Sequence, residues 1–155
     1  MNLEQLLDTV PAYAKNLKLN LSNLLQQPEL SGGTAVTSAI TARNPRLLEA
    51  ARAAAAIIGM NNVFYRFQHL AENKKYETIP ARLRMNAIRS HGVEPVEFEL
   101  FCIAASAING CGVCIDSHEK VEREKGTGEE VILGCVRIAP VIYGLATVFD
   151  AEFSV

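Results

Sequence analysis

The sequence predicts an all-α fold. Alternating β-branched and aromatic runs closed by tight turns, which are typical of strands, are nearly absent. Apolar residues recur instead at helical spacing, and Pro, Gly and Asn separate the segments that carry them. The chain has 155 residues and no linker, low-complexity run or obvious repeat, so we expect one domain over residues 1–155.

Two helices are predicted before residue 44. Leucines between Leu17 and Leu25 form a mostly helical apolar face that ends near Pro28. Gly32-Gly33 then separate this face from a segment at about 34–43. We therefore expect a helix, a glycine break and a second helix.

Three further helical segments are predicted in the middle of the chain. Asn44 is a candidate N-cap and Pro45 suits the first helical position, so we expect a helix from there to a break at Gly59. An aromatic-rich stretch over 61–70 predicts a short helix, and residues 80–89 predict another.

The last part of the chain predicts three helices. A helix over 94–108 breaks at Asn109-Gly110 and gives way to a helix over 111–125. The final helix starts near Gly128 and carries Pro140. Because proline removes a backbone hydrogen bond, we expect a kink there.

Charge and the N-terminal residues limit the compartment and the partners. The net charge is −2, from 15 basic and 17 acidic residues, which disfavours nucleic acid or an anionic membrane as a partner. Residues 1–20 lack the basic start and apolar stretch of a signal peptide, and we expect no 18-residue apolar run elsewhere. We therefore expect a cytoplasmic protein, in which a paired cysteine motif is catalytic or metal-binding rather than a structural disulfide.

The main candidate site is Cys111-x-x-Cys114, followed four residues later by His118. The break before Cys111 places both cysteines in the first turn of a helix, where unpaired amides and the positive end of the helix dipole favour a thiolate. The spacing puts the three side chains on one face. The two sulfurs are then close enough to form and reopen a disulfide, and His118 can act as base and acid.

The Glu99 carboxylate lies at this site if the predicted helices over 94–108 and 111–125 fold back on each other as a hairpin. Glu99 lies 11 residues before Gly110 and His118 lies 8 residues after it. At about 1.5 Å per residue these distances from the turn differ by roughly one helical turn. Glu99 would then orient and polarise His118, and His118 would take the proton from Cys114, directly or through water.

The span 98–119, with its pattern Glu99-x11-Cys111-x2-Cys114-x3-His118, closely resembles the AhpD-like (alkyl hydroperoxidase D) group of the carboxymuconolactone decarboxylase superfamily. Three earlier segments agree with the same group, residues 13–22, 59–66 and 81–86. The resemblance thus extends over nearly the whole chain.

The resemblance implies an all-α homo-oligomer, often a trimer, with an antioxidant role and no bound cofactor. It implies that a redox-active Cys111–Cys114 pair, which cycles between dithiol and disulfide, reduces hydroperoxides weakly in its dithiol form, or passes electrons from a dihydrolipoyl-bearing protein or other dithiol donor to a peroxiredoxin. By carry-over from the family, Cys114 is the activated thiolate. Cys111 is the more accessible sulfur, which exchanges with other proteins.

One position departs from the family pattern. Some members carry a histidine immediately before the second cysteine, where this chain has Val113. The change removes a possible proton donor or acceptor and makes the surroundings of Cys114 less polar. Disulfide exchange is therefore better supported than fast peroxide turnover.

Other functions and roles remain open on the sequence alone. Cys111, Cys114 and His118 supply three ligands for zinc, but a structural site needs a fourth, and Cys102 and Cys135 form no second ligand pair. We expect these two cysteines to be buried. A decarboxylase of the same superfamily, or a non-catalytic redox or metal-binding module, are the alternative functions. The sequence also leaves three arginines as helix or subunit contacts and two histidines as surface or loop residues: Arg66, Arg82, Arg84, His69 and His91.

Overall fold

The computed structural model describes residues 3–26 and 44–153, and this part of the chain contains helices and no strand. The all-α prediction is therefore confirmed. The predicted segment at 34–43 and the glycine pair before it lie outside the described residues. The helices are α1 (Leu3–Asp8), α2 (Lys15–Leu24), α3 (Pro45–Leu70), α4 (Lys75–Thr78), α5 (Pro95–Asn109), α6 (Gly112–Glu124) and α7 (Glu129–Phe153), with 3-10 turns at Ala12–Ala14 and Asn86–Ile88.

Helix α5 is the centre of the bundle, since it packs against α3, α6 and α7, and α2 packs against α7. Phe98 and Ile103 of α5 are buried in the same core as Leu21 of α2 and Ile58 of α3. A methyl group at Gly144 of α7 would lie 3.0 Å from the Leu17 side chain, so α2 and α7 approach closely there. The bundle thus supports α5 and α6, which carry the candidate site.

Local capping signals set the starts of two long helices. Asn44 accepts hydrogen bonds from the amides of Arg46 and Leu47 at 3.0 and 3.4 Å, with Pro45 in the first turn. The predicted N-cap is therefore confirmed. Helix α5 begins with a capping box, in which the Glu97 side chain accepts from the Glu94 amide at 3.0 Å.

The predicted break at Gly59 is wrong. Helix α3 runs without interruption from Pro45 to Leu70, so the two predicted helices are one helix of 26 residues. A glycine inside a helix costs only about 1 kcal/mol. Burial of Ala54 and Ile58 before it and of Asn62 after it keeps the helix continuous against α5 and α6.

The predicted helix over 80–89 is also wrong. This segment is irregular apart from the 3-10 turn at Asn86–Ile88, and Arg82 has a positive φ of 52°. Half-buried Ala81, Leu83 and Met85 alternate with exposed neighbours. This period of two is typical of extended chain, in which alternate side chains point to opposite sides.

Helix α7 is more apolar than the sequence analysis expected. The stretch Glu129–Glu152 is long and apolar enough to cross a membrane by length and composition, with a mean hydropathy of 2.0, so the expectation of no 18-residue apolar stretch is wrong by that measure. Cys135, Ile138 and Leu145 of this helix are nevertheless buried in the bundle core. The helix continues through Pro140.

Candidate active site

The candidate site is built on the hairpin of α5 and α6. Gly110 ends α5 with φ 66° and ψ 36°, a left-handed conformation that suits glycine. The Cys111 amide donates to the Ser106 carbonyl at 3.2 Å, which closes the turn. Cys111 is the N-cap of α6, and α6 begins at Gly112. The predicted break at Asn109-Gly110 therefore lies where the sequence placed it.

Cys111 and Cys114 form a disulfide, with their Cα atoms 5.3 Å apart. Both residues are buried, at 3% and 6% exposure respectively. The expectation that Cys111 is the more accessible sulfur is therefore wrong for this disulfide form. Val113 between them is 47% exposed, so the first turn of α6 presents an apolar side chain to solvent.

Glu99 and His118 meet across the hairpin. The Glu99 Oε2 atom lies 2.5 Å from His118 Nδ1, and both side chains are 13% exposed. A carboxylate at Nδ1 makes this nitrogen the donor of the neutral ring, which leaves Nε2 as the proton acceptor. Helix α6 carries Cys114 and, one turn later, His118, so the imidazole lies on the same helix as the Cys114 sulfur.

Cys102 and Cys135 are buried free thiols outside this pair, as the sequence predicted. Burial and the nearby Glu99 carboxylate raise the pKa of Cys102 well above the ordinary range. Burial, with a smaller effect of Glu122, raises the pKa of Cys135 to about 12. Its Sγ donates to the Leu100 carbonyl at 3.3 Å. Both thiols are thus held in the unreactive neutral form.

The three side chains that could supply zinc ligands, Cys111, Cys114 and His118, are not arranged as a metal site. Cys111 and Cys114 are joined to each other in the disulfide. Within the ranges 3–26 and 44–153, no group of three His, Cys, Asp or Glu residues is arranged to hold a metal ion.

Comparison with known proteins places the chain in a family. Residues 75–152, which include α5, α6 and the cysteine pair, match the model of the carboxymuconolactone decarboxylase family. The chain belongs to this family. It is also 54% identical to a Solibacter usitatus protein named alkyl hydroperoxide reductase AhpD, over 98% of this chain and 97% of the relative.

Two further relatives support the AhpD-like resemblance within the carboxymuconolactone decarboxylase family. Proteins of the same name from Acidobacterium capsulatum and Koribacter versatilis are 53% and 56% identical. Each alignment covers 98% of this chain, and 94% and 89% of the respective relative. The resemblance drawn from the cysteine motif therefore holds over nearly the full chain.

The structure of this family member adds a buried acid that the sequence analysis missed. Glu122 of α6 is 0% exposed, and neither carboxylate oxygen has a hydrogen-bond partner among the described side chains and backbone. Burial, reinforced by the Glu99 carboxylate, raises its pKa, although Thr127 and Lys125 oppose the change. Its position one turn after His118 was visible in the sequence, but its burial depends on long-range packing.

Arg66 and His91 acquire definite contacts. The Arg66 Nη1 atom donates to the Asn109 carbonyl at 3.0 Å, which ties α3 to the residue before the Gly110 turn. This is a structural role at a helix contact, as the sequence favoured. His91 lies in the predicted loop, but its ring stacks on Phe98 with centroids 4.3 Å apart, whereas His69 is exposed at the end of α3.

Proposed function

We propose that this protein is an antioxidant thiol-disulfide oxidoreductase that reduces hydroperoxides with the Cys111–Cys114 pair. The observation that carries the proposal is the Glu99–His118 contact at 2.5 Å, because it supplies an oriented base on the helix that begins at the pair. The relatives' name, alkyl hydroperoxide reductase AhpD, supports the same peroxidase-type activity.

In the proposed reaction, His118 Nε2 takes the proton of the Cys114 thiol, directly or through water. Glu99 stabilises the imidazolium that results. The Cys114 thiolate attacks one oxygen of the hydroperoxide, the O–O bond breaks, and His118 returns the proton to the leaving alkoxide. Cys114 is then a sulfenic acid and the peroxide has become an alcohol.

Cys111 completes the turnover. Its thiol attacks the sulfenic sulfur, the disulfide forms, and water leaves. A dithiol donor then exchanges with the disulfide and restores both thiols while it becomes oxidised itself. We propose a dihydrolipoyl-bearing protein as this donor, and a peroxiredoxin disulfide as a second acceptor for the electrons of the reduced pair.

We further propose that residues 1–155 form one domain of a cytoplasmic homo-oligomer, a trimer or a multiple of it. Large apolar side chains are exposed on the single chain, and an oligomer interface would bury them. They include Val63, Phe67, Leu70, Ile79, Leu133 and Tyr143. A mean hydropathy of +0.12 agrees with such burial.

Decarboxylation and metal binding are less well supported. The family is named for a decarboxylase, but that chemistry would not require the cysteine pair. A metal-binding module would need Cys111 and Cys114 to be free as ligands beside His118, whereas the two sulfurs are joined to each other. The disulfide therefore favours redox chemistry.

Steady-state assays of five proteins test the proposal. Peroxide consumption and oxidation of a lipoyl dithiol are measured for the wild type, Cys111→Ser, Cys114→Ser and His118→Gln, with Ser117→Ala as an exposed control on the same helix. We expect both cysteine variants to lose turnover and His118→Gln to lose about 10²–10⁴-fold, the usual contribution of acid–base catalysis. Wild-type turnover in both cysteine variants would overturn the proposal, and stoichiometric zinc that these variants lose would favour a metal module.

A further inference from the structure

Two buried side chains, one on α3 and one on α5, hold polar atoms that have no hydrogen-bond partner among the described residues. They are both amide atoms of Asn62 on α3 and the hydroxyl of Ser106 on α5. Asn62 is 1% exposed and Ser106 is 0% exposed. Buried donors without a partner are rare in native proteins because burial without a hydrogen bond is costly. Their presence calls for an explanation.

Ser106 lies level with the cysteine pair. It is seven residues after Glu99, on the same face of α5, and Glu99 marks this face as the one that meets α6. Seven residues advance a helix by about 10 Å. Helix α6 runs antiparallel to α5, so the matching position on α6 lies seven residues before His118. That position is Cys111, and Cys114 lies between the two. The hydrogen bond from the Cys111 amide to the Ser106 carbonyl agrees with this register.

Asn62 reaches the same level from α3. Leu47 near the start of α3 and Glu97 near the start of α5 line the same cavity. Near the helix ends, Arg66 of α3 binds the Asn109 carbonyl of α5. The two helices therefore run parallel. Asn62 is one turn before Arg66, as Ser106 is one turn before Asn109. Helix α3 also packs against α6. Helix register thus sets both side chains at the level of the start of α6.

We propose that Asn62 and Ser106 donate hydrogen bonds to the Cys114 thiolate that exists only after the disulfide is reduced, an inference that rests on the proposed redox function. A dithiol donor supplies two electrons and two protons and itself becomes a disulfide. The Cys111–Cys114 bond breaks, one proton goes to Cys111 and the other to His118, and the Cys114 sulfur keeps the negative charge.

The burial of the pair explains why such donors are needed. Cys114 is 6% exposed, so water can solvate only a small part of the anion. A buried anion requires hydrogen bonds from the protein. In the disulfide neither sulfur is charged, and the two donors lack that partner. Reduction therefore gives Asn62 and Ser106 their acceptor, and their hydrogen bonds favour the reduced form.

Redox titration tests the inference. Wild type, Ser106→Ala and Asn62→Leu are equilibrated against mixtures of reduced and oxidised dithiothreitol, with the exposed Ser117→Ala and Asn23→Leu as matched controls. We expect each test variant to lower the equilibrium constant for reduction about tenfold, which is about 30 mV for a two-electron couple. Iodoacetamide should also label Cys114 about tenfold more slowly at pH 7 in a Cys111→Ser background, because less thiolate is present.

Thermal unfolding in both redox states separates this role from a structural one. We expect Ser106→Ala and Asn62→Leu to lower the melting temperature of the reduced protein more than that of the disulfide form. Equal changes in both forms, or an unchanged or less negative potential, would overturn the inference while leaving the proposed function intact. If the wild-type cysteine pair cannot be reduced reversibly, both this inference and the proposed redox function are overturned. Ser106→Ala removes a single oxygen, so the test does not depend on whether Asn62→Leu folds.

Discussion

Glu99 and His118 are 19 residues apart in sequence and 2.5 Å apart in the structure, joined across the α5–α6 hairpin. Both side chains are mostly buried, so water competes weakly for the hydrogen bond. The carboxylate therefore holds the imidazole in one orientation. In the proposed reaction this contact supplies the cysteine pair with an oriented base.

Replacing Glu99 by Gln should impair the base without unfolding the bundle. We expect the pH dependence of Cys114 alkylation to move to higher pH and peroxide turnover to fall by about 10–100-fold, because a neutral amide stabilises the imidazolium less than a carboxylate does. Glu124→Gln, which changes an exposed acid on α6, is the matched control. An unchanged alkylation profile in folded Glu99→Gln would contradict the relay.

The four cysteines should differ sharply in reactivity. After mild reduction, we expect iodoacetamide at pH 8 to label Cys111 and Cys114 within minutes and to leave Cys102 and Cys135 unlabelled. The raised pKa values of the latter two keep them as buried neutral thiols. Intact-mass and peptide mass spectrometry measures the labels. Labelling of all four sites should appear only in denaturant, and rapid modification of Cys135 in the native protein would argue against this assignment.

Local sequence signals predicted the parts of the fold that local chemistry controls. The Asn44 cap, the break at Asn109-Gly110 and the cysteine positions at the start of α6 all depend on residues within one turn. The Glu99–His118 pairing was also predictable, because a hairpin closed by a tight turn fixes which residues face each other. These features needed no knowledge of distant contacts.

The features that the sequence analysis missed depend on packing between distant segments. Gly59 does not interrupt α3, because burial against α5 and α6 outweighs the small cost of one glycine. Residues 80–89 form no α-helix, and between 81 and 85 every second side chain is half-buried, a pattern that depends on the assembled bundle. Glu122 has the sequence context of a surface acid, and only the assembled helices bury it.

Glu122 should make the stability of the protein depend on pH. Burial raises its pKa above the ordinary value of 4.5. The folded state therefore keeps a proton that the unfolded chain releases, so the free energy of unfolding falls as pH rises from about 4.5 to the folded pKa and then levels off. Glu122→Gln should remove this decline, with a gain over wild type at pH 8 in the usual range of about 0.5–3 kcal/mol.

Urea unfolding at pH 4 and pH 8 measures this effect. The difference in the free energy of unfolding between Glu122→Gln and wild type should be larger at pH 8 than at pH 4. At pH 8 the buried wild-type carboxyl is either an unsolvated anion or keeps a proton that the unfolded chain would release, and both states destabilise the folded protein. Glu124→Gln on the exposed side of α6 should show no such pH dependence. A difference that is equal at both pH values would mean that Glu122 titrates alike in the folded and unfolded states.

Replacing either of two glycines by alanine should change the free energy of unfolding, in opposite directions at the two positions. Gly110 has φ 66°, where a Cβ atom is strained, so Gly110→Ala should lower the free energy of unfolding by about 1–2 kcal/mol. Gly59 lies inside α3 with right-handed helical neighbours, so Gly59→Ala should raise it by up to about 1 kcal/mol. Apart from the adjacent residues and the helix's own nearby backbone, no atom lies within 4 Å of a Cβ at either position, so clashes with the rest of the bundle do not enter the comparison. Urea titrations of the two variants in the disulfide form measure both changes, and destabilisation by Gly59→Ala would show that α3 is not a regular helix there.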